Sequence, residues 1–190
     1  IKPLLSDDAD SLRVELDFHA QKIVSIASQG DLLAVCFNSH FRVLRLNELG
    51  DIIQERKISL RNMGTNNKIV KVVFLPCQKL LFGVATQQFV RVYDLYDEKT
   101  DAKYEFVLPL GNVADVTFAL DATKKAKIFV LSSPGHVYVE TLEKGNTMLN
   151  EGAYYMTNTL PLPVSKNAIS MHYSSIYNLL FVSLHDVTYI

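Results

Sequence analysis

The chain has 190 residues, with 19 basic and 20 acidic side chains and a formal net charge of −1. A dedicated nucleic-acid binder shows a marked basic excess, so this balance excludes that class of protein. Hydrophobic residues make up 48% and charged residues 21% of the chain, which is typical of a folded globular protein. No apolar run reaches about 18 residues, so we predict no membrane span.

The first twenty residues contain one predicted element. Leu12–Phe18 alternates apolar and polar residues, which predicts an outer strand of a preceding sheet. The chain starts at Ile1 without an initiator Met, and the first residues show no signal-peptide pattern. We therefore expect this chain to be a piece of a much longer protein.

A twelve-residue pattern recurs four times and aligns without a gap. Each copy opens with two large apolar residues, has polar or turn-forming residues in its middle and ends in a β-branched aliphatic residue. This pattern predicts a strand, a tight turn and a second strand, which together form a β-hairpin. The four copies are Leu32–Val43, Leu81–Val92, Ile128–Val139 and Leu179–Ile190.

Further predicted strands flank these hairpins. One precedes each hairpin, at 23–26, 69–74, 113–118 and 168–173, and one follows each of the first three, at 52–58, 104–108 and 154–160. Four strands per roughly fifty residues is the unit of a β-propeller blade. We predict an all-β chain, residues 1–190 being part of one propeller with about three and a half four-stranded antiparallel blades. Their approximate bounds are 20–60, 68–110, 112–161 and 167–190, the last incomplete.

The sequence contains no recognisable catalytic, cofactor or metal site. The five histidines form no closely spaced pair, and the two cysteines, Cys36 and Cys77, lie far apart, so we expect free thiols and no zinc site in this segment. His40 and His136 occupy the same position of the repeat, which predicts a structural role at the turn. The basic cluster Lys124–Lys127 is interpreted as a solvated turn, with a partner-binding patch as the alternative.

The middle of each hairpin supplies the candidate partner-binding residues. Because they share one repeat position, we expect them to lie along one rim of the propeller, although each alone is more simply a turn residue. The eight residues are Asn38, Ser39, Gln87, Gln88, Ser133, Pro134, His185 and Asp186.

Two resemblances to known families follow from these runs. Val92–Leu95 stands where WD-repeat proteins place their Trp-Asp dipeptide, so the chain resembles a degenerate WD-like propeller. An ordered series of runs over roughly residues 20–190 is similar to the N-terminal propeller of the giant UBR-box ubiquitin ligases, which include calossin/Pushover in animals and BIG in plants. These runs are Leu32–Cys36, Ile69–Pro76, Phe89–Leu95, Phe106–Pro109, Asp115–Phe118, Val130–Tyr138, Tyr154–Leu160 and Ser170–Phe181.

The second resemblance implies a non-catalytic scaffold propeller within a giant E3 ubiquitin-protein ligase. Members of that family act in N-degron recognition, ubiquitin chain formation and protein quality control. The resemblance implies zinc only in other domains, the UBR box and the catalytic module. It implies contacts with other domains or subunits of the ligase, calmodulin, a ubiquitin-conjugating enzyme and N-degron or misfolded substrates. The expected location is the cytoplasm, with the nucleus as a further site, and no catalytic residue is transferred to this segment.

Two other function classes stay open at this level. A propeller of a trafficking coat or another assembly would show the same repeat without any ubiquitin role. A propeller hydrolase is less well supported, because no repeated acidic residues or histidines line a candidate channel.

Overall fold

The described residues form only β-structure. The computed structural model describes residues 21–60, 67–76, 80–97, 101–143, 152–163 and 167–190. Within these ranges there are fifteen strands and no helix, so no described helix could cross a membrane. The predicted fold class, an all-β partial propeller built of small antiparallel blades, is confirmed.

The strands form four sheets. The first sheet contains β1 (Ser25–Gln29), β2 (Leu32–Cys36), β3 (His40–Leu46) and β4 (Ile52–Ser59) in chain order. The second contains β5 (Ile69–Phe74), β6 (Leu81–Thr86), β7 (Phe89–Asp94) and β8 (Tyr104–Val107), with β12 (Tyr154–Tyr155) added outside β8. The third contains β9 (Val113–Leu120), β10 (Ala126–Ser132) and β11 (Val137–Thr141). The fourth contains β13 (Ala168–Ser174), β14 (Leu179–Leu184) and β15 (Thr188–Tyr189).

All four predicted hairpins form, with one difference in register. In the first, second and fourth sheets, the last paired residues of the hairpin are separated by a turn of two residues. In the third sheet Ser132 donates its N–H to the carbonyl of His136, which leaves a turn of three residues. Gly135 occupies the left-handed region there, at φ 95°, which a three-residue hairpin turn requires. In the gapless sequence alignment, the residues of β10 are therefore shifted by one position relative to those of β2, β6 and β14.

The chain divides into two compact units, and the first sheet belongs to the unit Ile1–Asn62. Val35, Phe37 and Leu44 form a buried apolar cluster on one face of this sheet. Cys36 is a free, fully buried thiol, and burial raises its pKa to about 12. The His40 ring stacks on the Phe37 ring with centroids 4.7 Å apart. The His40 carbonyl accepts the Phe37 N–H and so closes the turn, as predicted.

The second unit, Met63–Ile190, stacks the other three sheets face to face. One continuous apolar cluster joins the second sheet to the third, and another joins the third to the fourth. Gly83 allows a close approach between β6 and β9, because a Cβ at this position would lie 2.7 Å from the ring of Phe118. The third sheet therefore buries both of its faces, which explains why its strands carry apolar residues on both sides.

The first strand of each of these three sheets, which we call its inner strand, contains a bulge. Register shifts leave one extra residue in each of β5, β9 and β13, namely Val70, Ala114 and Ile169. A bulge bends the strand and increases its local twist. The residue after each bulge, Lys71, Asp115 or Ser170, therefore stands at an equivalent place in each sheet.

A buried carboxylate links these inner strands. One oxygen of Asp115 accepts the ammonium of Lys71 at 2.9 Å and the Val116 N–H at 2.7 Å. The other accepts the Met171 N–H of β13 at 2.6 Å. Asp115 is 7% exposed. A single side chain of the third sheet thus contacts both neighbouring sheets.

The strand predicted over Tyr154–Leu160 divides between two sheets. Tyr154–Tyr155 pairs in parallel with β8 of the second sheet, where the Tyr154 ring packs edge-on against Phe106. Met156 is fully buried and donates its N–H to the Val107 carbonyl. Residues 158–160 make the main-chain contacts with β11 of the third sheet, around the Tyr138–Thr159 bridge, and the Tyr154 hydroxyl donates to Glu140 of the same strand at 2.9 Å. Burial of Met156 explains why this segment leaves the regular position of a fourth strand.

The remaining sequence predictions differ in their bounds or lie outside the described residues. The strand predicted at 23–26 starts two residues later, at Ser25, although the Val24 N–H still donates to the Cys36 carbonyl. Leu12–Phe18 and Cys77 lie outside the described residues.

Protonation of His40 should make the first unit less stable in acid. Burial, followed by the charges of Lys57 and Arg42, lowers the His40 pKa below 6.5. The buried Nε2 has no hydrogen-bond partner among the described residues. The unfolded chain therefore binds the proton more readily, and the free energy of unfolding should fall as the pH drops below about 6.5.

Urea unfolding at about pH 7.5 and about pH 5.5 measures this effect. The variant His40→Phe keeps a ring against Phe37 but does not titrate. We expect it to lose less stability between the two pH values than the unmodified chain. The remaining histidines are common to both proteins, so an equal loss in both would contradict the assignment.

Candidate interaction rim

The eight candidate residues all lie in turns between the second and third strands of their sheets. We call these residues the turn rim. Residues 38–39 connect β2 to β3, 87–88 connect β6 to β7, 133–134 belong to the turn from β10 to β11, and 185–186 connect β14 to β15. Six of them are exposed, whereas Gln87 and Pro134 are half-buried.

In the second unit, main-chain hydrogen bonds place three of these turns in one row. The Gln87 carbonyl accepts the Val113 N–H at 2.8 Å, and the Asn112 carbonyl accepts the Ser133 N–H at 2.7 Å. The Ser133 carbonyl faces the Ala168 N–H at 3.5 Å. The Asn167 carbonyl then accepts the His185 N–H at 3.0 Å. The structure therefore brings together the turns at 87–88, 133–134 and 185–186.

The turn at Asn38 and Ser39 belongs to the first unit. The Ser39 hydroxyl lies 3.3 Å from Nδ1 of His40, and the Ser39 carbonyl accepts the Leu60 N–H at 2.8 Å. Both side chains are exposed. They present a hydroxyl and an amide to solvent at the end of the first sheet.

Two buried hydroxyls hold the turns of the second and third sheets. The Thr86 hydroxyl donates to the Phe89 carbonyl at 2.9 Å and accepts the Phe89 N–H at 3.1 Å. The Ser132 hydroxyl makes the same two bonds with the main chain of His136. Sequence reasoning did not single out either residue. The available signal was a hydroxyl residue ending an apolar strand immediately before a turn.

Gly111 allows the linker between the second and third sheets to lie close against the turn rim. Gly111 has φ +75°, a region that residues with a Cβ rarely adopt. A Cβ there would lie 2.4 Å from Cδ of Pro134 and 3.0 Å from Oγ of Ser133. The Ser133 hydroxyl also accepts the Asn112 N–H at 3.1 Å. Ser133 and Pro134 therefore position the linker as well as the turn.

The turn rim presents polar groups to solvent. His185 and Asp186 form an exposed pair, with Nδ1 and Oδ1 2.6 Å apart, and Gln88 presents an amide to solvent. Exposed pairs of this kind contribute little stability. Across the described ranges, no three His, Cys, Asp or Glu side chains are grouped to hold a metal ion.

Lys124 and Lys125 of the basic cluster lie in an exposed turn, and Lys127 belongs to β10. Lys124 has φ 61°, and the Lys125 ammonium pairs with Glu143, which raises the Lys125 pKa. Asp121 accepts hydrogen bonds from Thr123 and from the Lys125 N–H, and these bonds lower the Asp121 pKa. Side-chain hydrogen bonds within the turn therefore stabilise its conformation.

The opposite end of the second unit presents a second surface that sequence reasoning missed. An open cleft of about 320 Å³ lies there, next to the β13–β14 turn, whose residues Ile176 and Tyr177 are 84% and 73% exposed. The signal in the sequence was a pair of large apolar residues between two predicted strands. The lining residues are Pro76, Leu120, Asp121, Ala122, Tyr173, Ser175 and Asn178.

Three known proteins that are similar to this chain agree in name or family with the resemblance predicted from the sequence. Protein purity of essence from Drosophila pseudoobscura pseudoobscura is 27% identical over 166 residues, or 80% of the chain. Auxin transport protein BIG from Oryza sativa subsp. japonica is 29% identical over 162 residues, or 82% of the chain. A probable E3 ubiquitin-protein ligase from Dictyostelium discoideum is 26% identical over 155 residues, or 80% of the chain.

These relatives match the giant UBR-box family, so the resemblance predicted from the sequence is confirmed. The chain corresponds to only 3% of the length of each of them. No family model matches the chain.

Solved structures of distant sequence share the fold. A Polycomb Repressive Complex 2 structure, a humanized mutant of the Chaetomium thermophilum complex bound to the inhibitor GSK126, matches 90% of this chain and 37% of its own chain, with TM-score 0.62 and 13% identity. Apo AztD from Citrobacter koseri matches 85% of this chain and 41% of its own, with TM-score 0.58 and 11% identity. The computationally designed Ika4 protein matches 95% and 96%, with TM-score 0.55 and 10% identity. Identities this low establish likeness of fold alone.

Replacing Gly111 with alanine should destabilise the second unit. The substitution imposes both a left-handed backbone and a clash with Pro134, so we expect a loss of about 2–4 kcal/mol in the free energy of unfolding. Gly152→Ala is the matched control, because Gly152 has φ +102° and a Cβ added there would meet no atom within 4 Å. Denaturant unfolding measures both variants. Equal losses would mean that the contact with Pro134 contributes nothing.

Proposed function

We propose that this chain is a non-catalytic scaffold segment of a giant E3 ubiquitin-protein ligase. The observation that supports this best is the set of three relatives matched over about four-fifths of the chain, one of which is named as a probable ligase. Because the chain corresponds to 3% of their length, ubiquitin transfer is assigned to the parent protein and its other domains.

The turn rim is the proposed contact surface of this scaffold. Polar side chains stand on turns whose main chain is fixed by hydrogen bonds to the neighbouring sheet, for example Val113 to Gln87. A surface fixed in this way loses little conformational entropy when it binds. Its proposed partners are other domains or subunits of the ligase.

Finer features of the parent protein belong to the same proposal. They are N-degron recognition through a UBR box, zinc in that box and in the catalytic module, and action in protein quality control. They also include contacts with calmodulin, a ubiquitin-conjugating enzyme and misfolded substrates, and location in the cytoplasm. The support for all of them is the family resemblance, and none requires a catalytic group in residues 1–190.

Substituting exposed rim residues in the parent protein should reduce its association with partners without changing ubiquitin transfer. The variant combines Asn38→Ala, Gln88→Ala, His185→Ala and Asp186→Ala, and it keeps Ser133 and Pro134 because they hold the linker. Quantitative co-purification measures association, and ubiquitin chain formation with purified enzymes measures activity. We expect at least about a tenfold loss of co-purified partner and unchanged chain formation.

The matched control changes the other end of the second unit, with Ile176→Ser and Tyr177→Ser. Unchanged co-purification by the rim variant, with an intact fold, would eliminate the rim as an interface. A parent chain with membrane-coat repeats and no cysteine- and histidine-rich box would instead favour a coat scaffold.

A further inference from the structure

The fourth sheet has one covered face and one open face. Met171, Val182 and Leu184 pack against the third sheet and are almost completely buried. The residues that alternate with them form the open face, where His172 is exposed and Leu179 and Ile190 are 39% and 78% exposed. An open face with large exposed apolar residues among polar ones calls for a partner whose chemistry can be identified.

The first indication comes from equivalent positions in the other sheets. Gly83 pairs with Val92, and Phe129 pairs with Val139. Both positions meet the next sheet: Gly83 lies against Phe118, and Phe129 packs in the cluster that contains Met171 and Val182. In the fourth sheet the equivalent residue is Phe181, on the open face.

The second indication is a main-chain contact that recurs between sheets. The carbonyl of the first turn residue faces the N–H of the first residue of the next inner strand, from Gln87 to Val113 and from Ser133 to Ala168. His185 occupies the same position in the fourth sheet. The His185 N–H donates to the Asn167 carbonyl, just as the Ser133 N–H donates to the Asn112 carbonyl. The His185 carbonyl is therefore placed like the carbonyls of Gln87 and Ser133.

The third indication is the polar residue that follows each inner-strand bulge. Lys71 reaches Asp115 of the next sheet, and Asp115 reaches the Met171 N–H of the sheet after that. Ser170 is the equivalent residue of the fourth sheet and is exposed. Residues at these three positions thus make contacts at both sheet junctions of the second unit, and the fourth sheet presents the equivalent residue for each.

We propose that the open face of the fourth sheet binds a further antiparallel sheet of the same repeat, supplied by the longer polypeptide in which this segment occurs. The relatives make such a source available, since the matched segment is 3% of their length. The incoming inner strand would donate an N–H to the His185 carbonyl and pack apolar side chains on Phe181 and Ile190. This inference does not depend on a role in ubiquitin transfer.

Chemical modification of histidine by diethylpyrocarbonate tests the proposal without any substitution. His172 lies on the open face, opposite Phe181, whereas His136, half-buried beside the turn from β10 to β11, takes no part in the proposed interface and serves as the internal control. The reaction is measured by mass spectrometry on the 190-residue chain and on the full-length parent protein. We expect both histidines to react in the 190-residue chain. In the parent protein His172 should react at least about tenfold more slowly, because a close-packed interface excludes the reagent.

Two results would overturn the proposal. Equal reactivity of His172 in the two proteins would show that the face stays open. Protection of His172 that appears in the 190-residue chain only as its concentration rises would show that a second copy covers the face instead.

Discussion

The second unit depends on the place where three inner strands meet at the Asp115 carboxylate. A buried carboxylate is costly unless its oxygens are fully hydrogen-bonded. Here one oxygen accepts hydrogen bonds from the Lys71 ammonium and the Val116 N–H, and the other accepts one from the Met171 N–H. The donors therefore come from the second, third and fourth sheets. This requirement favours a single register for β5, β9 and β13. Apolar stacking alone is non-directional and does not impose that register.

The sequence predicted those features that depend on local pattern. The hairpins at Leu32–Val43 and Leu81–Val92 could be located because apolar strands and polar turns alternate at short range. The three-residue turn at Gly135 was missed, because one added residue in a turn leaves the apolar pattern almost unchanged. The parallel pairing of Tyr154–Tyr155 with the second sheet was missed for a different reason. Its position depends on burial of Met156 against residues far away in the sequence.

The candidate site shows the same division between local and long-range information. The turn positions of Gln87 and His185 followed from the repeat, but the bonds that align them involve Val113 and Asn167, which belong to inner strands and linkers. Ser133 and Pro134 were selected as partner-facing residues, and the structure shows that they also hold Gly111 in place. The scaffold and its proposed contact surface therefore share residues, so a variant of the surface must be chosen to spare the frame.

A double-mutant cycle on Lys71 and Asp115 tests the central role of this junction most directly. The free energy of unfolding is measured for Lys71→Met, Asp115→Asn and the double variant, and the exposed pair Lys125–Glu143 provides the reference cycle. We expect a coupling energy of about 1–3 kcal/mol for the partly buried pair Lys71–Asp115 and under about 1 kcal/mol for the exposed pair. Additivity of the two substitutions within about 0.3 kcal/mol would contradict the claim that this contact couples the sheets.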